Sequence, residues 1–288
     1  MIQFGCCLPG ASFVPQVGDE SRKDVDPIVS LQEGLRLLKN HGYDFAELTV
    51  GTIANLSEED FKRAKETILS SGINVPVYNS FVPPHIKLTG PDISHNKIKE
   101  YLELAITRVS EAGGEYIIFG SGGARSYPED FPKEEAMKQI EQFLSTCNDY
   151  AAKNNVIIAI EPLNKKESNV INQVREGVEL ARRLQLSHIK VLADSYHMIE
   201  ENESYTILPE AVEENLLAHV HIADRNRVFP GLPVEDGMDF TEFFKVLQQC
   251  QYSGRISAEC RVDNFASESK DSLQFVRNTW ESVSGVKR

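Results

Sequence analysis

The sequence contains no apolar run approaching the ~20 residues a membrane-spanning helix needs, so no membrane span is expected. Cysteines are few and odd in number: Cys6, Cys7, Cys147, Cys250 and Cys260 show no finger-like spacing. That argues against a disulfide framework or a structural zinc site and for buried thiols in a reducing cytoplasm. Positive charge is scarce, with 30 Lys and Arg against 43 Asp and Glu giving a formal charge of −13. Such a balance repels phosphate backbones and disfavours a nucleic-acid partner. Met1-Ile-Gln-Phe-Gly lacks a basic segment followed by a long apolar one, so no signal peptide is expected. Linker-like composition is missing throughout, and the first turn, Leu8-Pro-Gly-Ala-Ser, carries no dinucleotide-binding fingerprint.

What the chain does have is alternation. With 41% hydrophobic and 25% charged residues over 288 positions, its composition is that of a soluble globular protein. Short apolar runs at 2–8, 45–50, 75–80, 116–119, 156–161, 189–194, 217–223 and 255–259 read as buried strands. Amphipathic stretches separate most of them. One is capped by Asp26 with Pro27 behind it and ends at Gly42; another opens at Ser57-Glu-Glu-Asp60 and stops at Gly72. Helical spacing recurs at about 93–112, 133–153, 171–184 and 208–216, from the cap Asp239 onward, and at 269–283. Eight strand–helix units of this kind predict an α/β fold, a single (β/α)8 TIM barrel over residues 1–288, with an open doubly wound sheet as the alternative.

Four consecutive strands end on an ionisable residue: Val156-Ile-Ile-Ala-Ile-Glu161, Val191-Leu-Ala-Asp194, Leu217-Ala-His-Val-His221 and Ile256-Ser-Ala-Glu259. In a barrel these ends converge on one mouth. Three carboxylates cannot all stay ionised there without a cation, and three oxygens with one imidazole suit Mn²⁺, Mg²⁺ or Co²⁺ better than a structural zinc. His219 shares a strand face with His221 one layer deeper, which favours an orienting or packed neighbour over a ligand. Glu47, near the end of the second strand, is equally suited to touching a substrate or a barrel partner. Gly120-Ser-Gly-Gly-Ala-Arg125 reads as a tight strand-to-loop turn in preference to an anion nest faced by Arg125. Phe13 and Phe81 lie in loops that would wall a pocket, and Cys6 and Cys7 are expected to pack near the barrel floor.

These motifs resemble a family, the sugar isomerase/epimerase barrels similar to xylose isomerase, and within it the ketose 3-epimerases of the tagatose/psicose type. Glu161-Pro-Leu-Asn-Lys-Lys-Glu167 looks like its E-x-x-N-x-x-E element, Asp194-Ser-Tyr-His197-Met its D-x-x-H-M element, and His219-Val-His221 with Arg227 its H-x-H element. The resemblance implies a metal held by Glu161, Asp194, His221 and Glu259, with substrate contacts from Glu167, His197 and Arg227. It implies one divalent ion, Mn²⁺ first, then Mg²⁺, Co²⁺ or Zn²⁺. The implied reaction inverts carbon 3 of a ketose or ketose phosphate, with Glu161 and Glu259 as catalytic residues passing a proton through an enediolate. An inosose dehydratase or a hydroxypyruvate isomerase would use the same ligands. An apurinic-site endonuclease would need more than the seven histidines present and a basic groove. A non-catalytic sugar-binding protein would not need both glutamates. A homo-oligomer, dimer or tetramer, acting on a small sugar in the cytoplasm is the implied setting.

Overall fold

A computed structural model describes residues 2–8 and 26–284. Most of the first long loop, including Phe13, lies outside the described residues. Eight parallel strands pair in sequence order and close on themselves, β1 against β8, so the barrel prevails over an open sheet. They are β1 (Gln3–Cys7), β2 (Phe45–Thr49), β3 (Asn74–Asn79), β4 (Tyr116–Phe119), β5 (Ile157–Ile160), β6 (Ile189–Asp194), β7 (Leu217–Ile222) and β8 (Arg255–Ala258). The helices are α1 (Pro27–His41), α2 (Gly51–Ala54), α3 (Glu58–Ser70), α4 (His95–Glu111), α5 (Gly122–Arg125) and α6 (Lys133–Asn154), followed by α7 (Val174–Leu184), α8 (Ser195–Glu200), α9 (Ile207–Glu213), α10 (Phe240–Gln249) and α11 (Phe265–Val283).

The expected caps are in place. The Asp26 carboxylate accepts from the Ile28 N–H, Ser57 Oγ from the Asp60 N–H, and the Asp239 carboxylate from the Thr241 N–H. Two boundaries move. α7 starts three residues after 171, where Gln173 and Glu176 form a reciprocal capping box. α11 starts four residues before 269, because Asn264 accepts from the Ser267 N–H. The short helices α2, α5 and α8 were not expected, since a stretch of one turn shows no periodicity.

Alternation along each strand sorts its side chains into two cores. Outward-facing apolar residues pack under the helices, as with Ile117 and Phe119 on β4 against Phe143 on α6, whose ring lies 4.9 Å from that of Phe119. Inward-facing Phe45, Val77, Ile118, Ala159 and Leu192 form a dry layer inside the barrel. Above that layer the inward positions turn polar: Cys7, Glu47, Asn79, Glu161, Asp194, His219, His221, Ser257 and Glu259. The apolar plug thus supports a polar mouth.

Room for the plug depends on one small residue. A Cβ on Gly5 would stand 2.3 Å from the ring of Phe45 on the neighbouring strand. Gly5→Ala is expected to lower unfolding stability by about 1–3 kcal/mol, the usual cost of overpacking a filled core. Denaturant or thermal unfolding measures it, and a variant as stable as the parent would show that the Phe45 ring is free to move.

Candidate functional site

The site is assembled by the carboxyl ends of β5 to β8. Asp194 is the last residue of β6, His221 lies one position before the end of β7, and Glu161 and Glu259 each follow their strand by one residue. One ligand atom from each lies within 4.8 Å of the others. His221 Nδ1 is 3.2 Å from Glu161 Oε1 and 3.6 Å from Glu259 Oε2. The four expected residues are therefore together, and all but Glu259 are buried.

The electrostatics of this group are strained. Burial, with Glu259 close by, pushes the Glu161 carboxyl up despite the opposing pull of His221 and Arg227. Burial likewise pushes Asp194 up to about 7, with Arg227 only partly offsetting it. Asp194 Oδ1 accepts from the Tyr196 N–H, but its buried Oδ2 has no hydrogen-bond partner. An orphaned carboxylate oxygen beside two more carboxylates and an imidazole nitrogen fits a divalent cation: hard oxygen donors in majority, one nitrogen, and a charge deficit to fill.

Glu167, His197 and Arg227 stand beside this group. Arg227 donates to Glu259 Oε2 at 2.9 Å and to Glu167 Oε2 at 3.1 Å, and its Nη2 lies 2.9 Å from His197 Nε2. Burial, then the Arg227 charge, depress the His197 imidazole to about 2, so this ring is neutral. Its Nδ1 accepts the Asn164 backbone N–H at 3.0 Å, and an Arg227 N–H is aimed at its Nε2, so donors reach both ring nitrogens. The His197 ring edge and the Arg227 guanidinium thus stand side by side at the mouth.

Several residues take roles the sequence did not assign. Glu47 turns out to be a barrel partner: despite its burial, His221 and His219 hold its carboxyl well below the usual range. Asn79 on β3 donates to Glu259 Oε1 at 3.3 Å, and Tyr196 stacks under Arg227, 4.7 Å from ring centre to guanidinium carbon. Asn79 follows the inward alternation of β3, and Asn164 sits inside the E-x-x-N element, so both left a signal. Arg125 faces no anion. It is fully buried and donates to the carbonyls of Phe119, Glu161 and Ile171, which makes the glycine-rich stretch a turn. Cys7 lies not near the barrel floor but at the top of β1, beside Glu47 and His221. Burial and Glu47 raise its thiol far above the usual range, so it stays protonated. Phe81 is buried in the helix-side core and does not wall the mouth.

A closed parallel barrel whose carboxyl mouth gathers three carboxylates and an imidazole is a TIM barrel with a site able to take a metal ion. Residues 35–279 match the family described as xylose isomerase-like TIM barrel, and the chain belongs to that family. Among its relatives are sugar epimerases. The chain is 27% identical to a 3-dehydro-D-guloside 4-epimerase of Escherichia coli (strain K12) over 258 residues, 86% of this chain and 94% of that protein. It is 33% identical to an L-ribulose 3-epimerase of Methylomonas sp. (strain DH-1) over 160 residues, 54% of this chain and 52% of the relative. The crystal structure of a D-allulose 3-epimerase from Methylomonas sp. in complex with D-allulose superposes with a TM-score of 0.78 at 19% identity, covering 96% of this chain and 97% of that one. That last likeness speaks for the fold.

Two outcomes follow from the site geometry. A Cβ on Gly120 would stand 2.2 Å from Glu161 Oε2. Gly120→Ala should leave the barrel folded but push the Glu161 carboxylate aside, weakening Mn²⁺ binding by about tenfold or more, as a displaced ligand does; unchanged affinity in a calorimetric titration would contradict this. The second concerns pH. A cation needs ionised carboxylates and an unprotonated His221 nitrogen, so protons compete with it below the raised values of Asp194, about 7, of Glu161, and of His221, whose imidazole Glu47 and Glu259 hold well above the usual range despite its burial. Affinity for Mn²⁺ is expected to climb from about pH 5 and to go on rising past about pH 8, and a flat profile would be inconsistent with these shifts.

Proposed function

We propose that this chain, a single barrel domain, is a metal-dependent sugar epimerase that inverts a carbon next to a carbonyl, carbon 3 of a ketose or ketose phosphate. The observation that carries the reading is the placement of Glu161 and Glu259. They come from β5 and β8, flank the same His221 nitrogen at 3.2 and 3.6 Å, and leave His197 and Arg227 beside them.

Glu161, Asp194, His221 and Glu259 would hold one divalent cation, Mn²⁺ first, with Mg²⁺, Co²⁺ or Zn²⁺ as alternatives. When bound it would supply Lewis-acid polarisation of sugar oxygens and offset the negative charge that proton removal leaves on them. The residues do the rest. His197 and Arg227 would hold the carbonyl-side oxygens, and Glu167 would accept from a hydroxyl. One of Glu161 and Glu259 takes the proton from carbon as a carboxylate. The other, as a carboxylic acid, returns a proton to the opposite face. Inversion therefore needs one glutamate ionised and one protonated at the start. Each turnover exchanges the two states, so the returned proton comes from solvent rather than from the sugar.

A second substrate reading rests on the match to the E. coli protein. The E. coli relative is a 4-epimerase of a 3-dehydro sugar, and its match spans 94% of that protein. Carbon 4 beside a 3-keto group presents the same task, a proton next to a carbonyl, on a different sugar. Loss of a hydroxyl, as in a dehydratase, would use the second glutamate to protonate the departing oxygen instead of a carbon.

Free and phosphorylated ketoses and 3-keto sugars, each incubated with Mn²⁺ in deuterated water, separate these substrates. The expected product carries deuterium at the inverted carbon. Glu161→Gln and Glu259→Gln should each cut kcat by about 10²–10⁴-fold, the span of general acid–base catalysis, while the metal content is followed in parallel. Epimerisation without deuterium uptake would sink the two-glutamate mechanism.

A further inference from the structure

Beneath the four proposed ligands lies a polar group that the proton transfers do not use. Glu47 on β2, His219 on β7 and Ser257 on β8 are each 0% exposed. Glu47 Oε1 accepts from His221 Nε2 at 2.9 Å. Glu47 Oε2 accepts from Ser257 Oγ at 2.7 Å and lies 3.2 Å from His219 Nε2. His219 Nε2 also lies 2.8 Å from Ser257 Oγ. A serine hydroxyl has one proton, and here Glu47 takes it, so the oxygen of Ser257 is left to accept from His219 Nε2–H. His221 and Ser257 donate to Glu47 directly, and His219 supports it through the Ser257 oxygen.

An imidazole has two nitrogens, and this arrangement decides which one meets Glu161 and Glu259. With Nε2–H of His221 committed to Glu47, Nδ1 is the nitrogen turned toward Glu161 and Glu259. His219 packs edge-to-face against His221, centroids 5.1 Å apart and planes at 87°, and walls the ring from below. Phe45 in turn packs on His219, at 6.1 Å. Ring plane and tautomer are both fixed from the barrel interior. Glu47, Cys7 and His221 also come within ligating distance of one another. Yet both Glu47 oxygens are already occupied by these donors, which marks it as a hydrogen-bond acceptor for a ligand rather than a ligand.

The geometry points to Glu47 as a positioning residue that, supported by Ser257 and His219, presents Nδ1 of His221 as the metal-ligating atom and so sets the affinity of the site for a divalent cation. The inference rests on the proposal that Glu161, Asp194, His221 and Glu259 hold the metal. A carboxylate behind a ligating histidine raises the basicity of the ring and prevents it from turning, and losing such a partner costs about 10- to 100-fold in metal affinity.

Metal-free protein titrated with Mn²⁺ by calorimetry, and with Co²⁺ by visible absorption, tests this. Glu47→Gln keeps an oxygen facing His221 but removes the charge. It should bind Mn²⁺ about 10- to 100-fold more weakly and shift the Co²⁺ absorption bands, with the circular-dichroism spectrum of the metal-free form unchanged. Ser257→Ala should weaken binding by a few-fold in the same direction, and it keeps the test alive if Glu47→Gln fails to fold. A purely structural role would lower the melting temperature without moving either affinity or bands. Parental affinity and spectra in both variants, with binding lost in His221→Ala, would overturn the positioning role and leave the metal site standing. Parental affinity in His221→Ala would overturn the metal site itself and the inference with it.

Discussion

The structure turns on the cost of burying acids. Glu47, Glu161 and Asp194 are buried and Glu259 half-buried at one end of a barrel, against one imidazole and one guanidinium. A buried carboxylate is tolerated where donors or cations surround it and pushes its own proton affinity up where they do not. Both outcomes occur here within a few ångströms. Glu47, with His221 and Ser257 donating and His219 close by, is held firmly ionised, while Asp194, with one oxygen unpartnered, is raised to about 7. The lower carboxylate is satisfied by the fold, and the upper ones are left wanting a ligand.

Packing of the barrel serves that division. The dry layer of Phe45, Val77, Ile118, Ala159 and Leu192 excludes water from below, which keeps the dielectric low around Glu47 and the two histidines and strengthens their hydrogen bonds. Small residues are placed where bulk would intrude: Gly5 beside the Phe45 ring and Gly120 beside the Glu161 carboxylate. Arg125 adds a clamp from outside the strands, donating to carbonyls of Phe119 and Glu161 just where β4 and β5 end. The position of Glu161 is therefore set on both its side-chain and main-chain atoms.

Much of this is legible in the sequence, and the reason is physical. An apolar run that ends in a charge is conspicuous because charges are rarely buried without a use, and four such runs in succession mark a barrel mouth. Glu161, Asp194, His221 and Glu259 stand out that way. Glu47 lies in the same alternation but one layer down, between Ala46 and Leu48. Its sequence context is the same whether it faces substrate or histidines, and only the register of β2 against its neighbours decides. Arg125 shows the opposite difficulty. A cation after three glycines resembles an anion site, yet the acceptors it finds are backbone carbonyls, which no residue type announces.

Strain in the loop after β7 is another feature that composition conceals. Asn226 and Arg227 have φ of 60° and 58°, two consecutive non-glycine residues in the left-handed region. Asn tolerates this conformation, but a long side chain such as Arg does not, and each such residue costs on the order of 1 kcal/mol. The turn is held by main-chain bonds, Arg227 N–H to the Asp224 carbonyl and Arg261 N–H to the Arg227 carbonyl at 2.7 Å. Side-chain contacts add to it: the guanidinium lies over Tyr196 and donates to Glu259 and Glu167. A relaxed turn would direct Arg227 elsewhere. The strain is what folds the guanidinium back over the mouth, where it supplies the positive charge that Glu259 and Glu167 meet and a donor to His197 Nε2. The same acidic cluster that raises Asp194 and Glu161 thus also anchors the strained turn, so the loop conformation and the charge of the site hold each other in place.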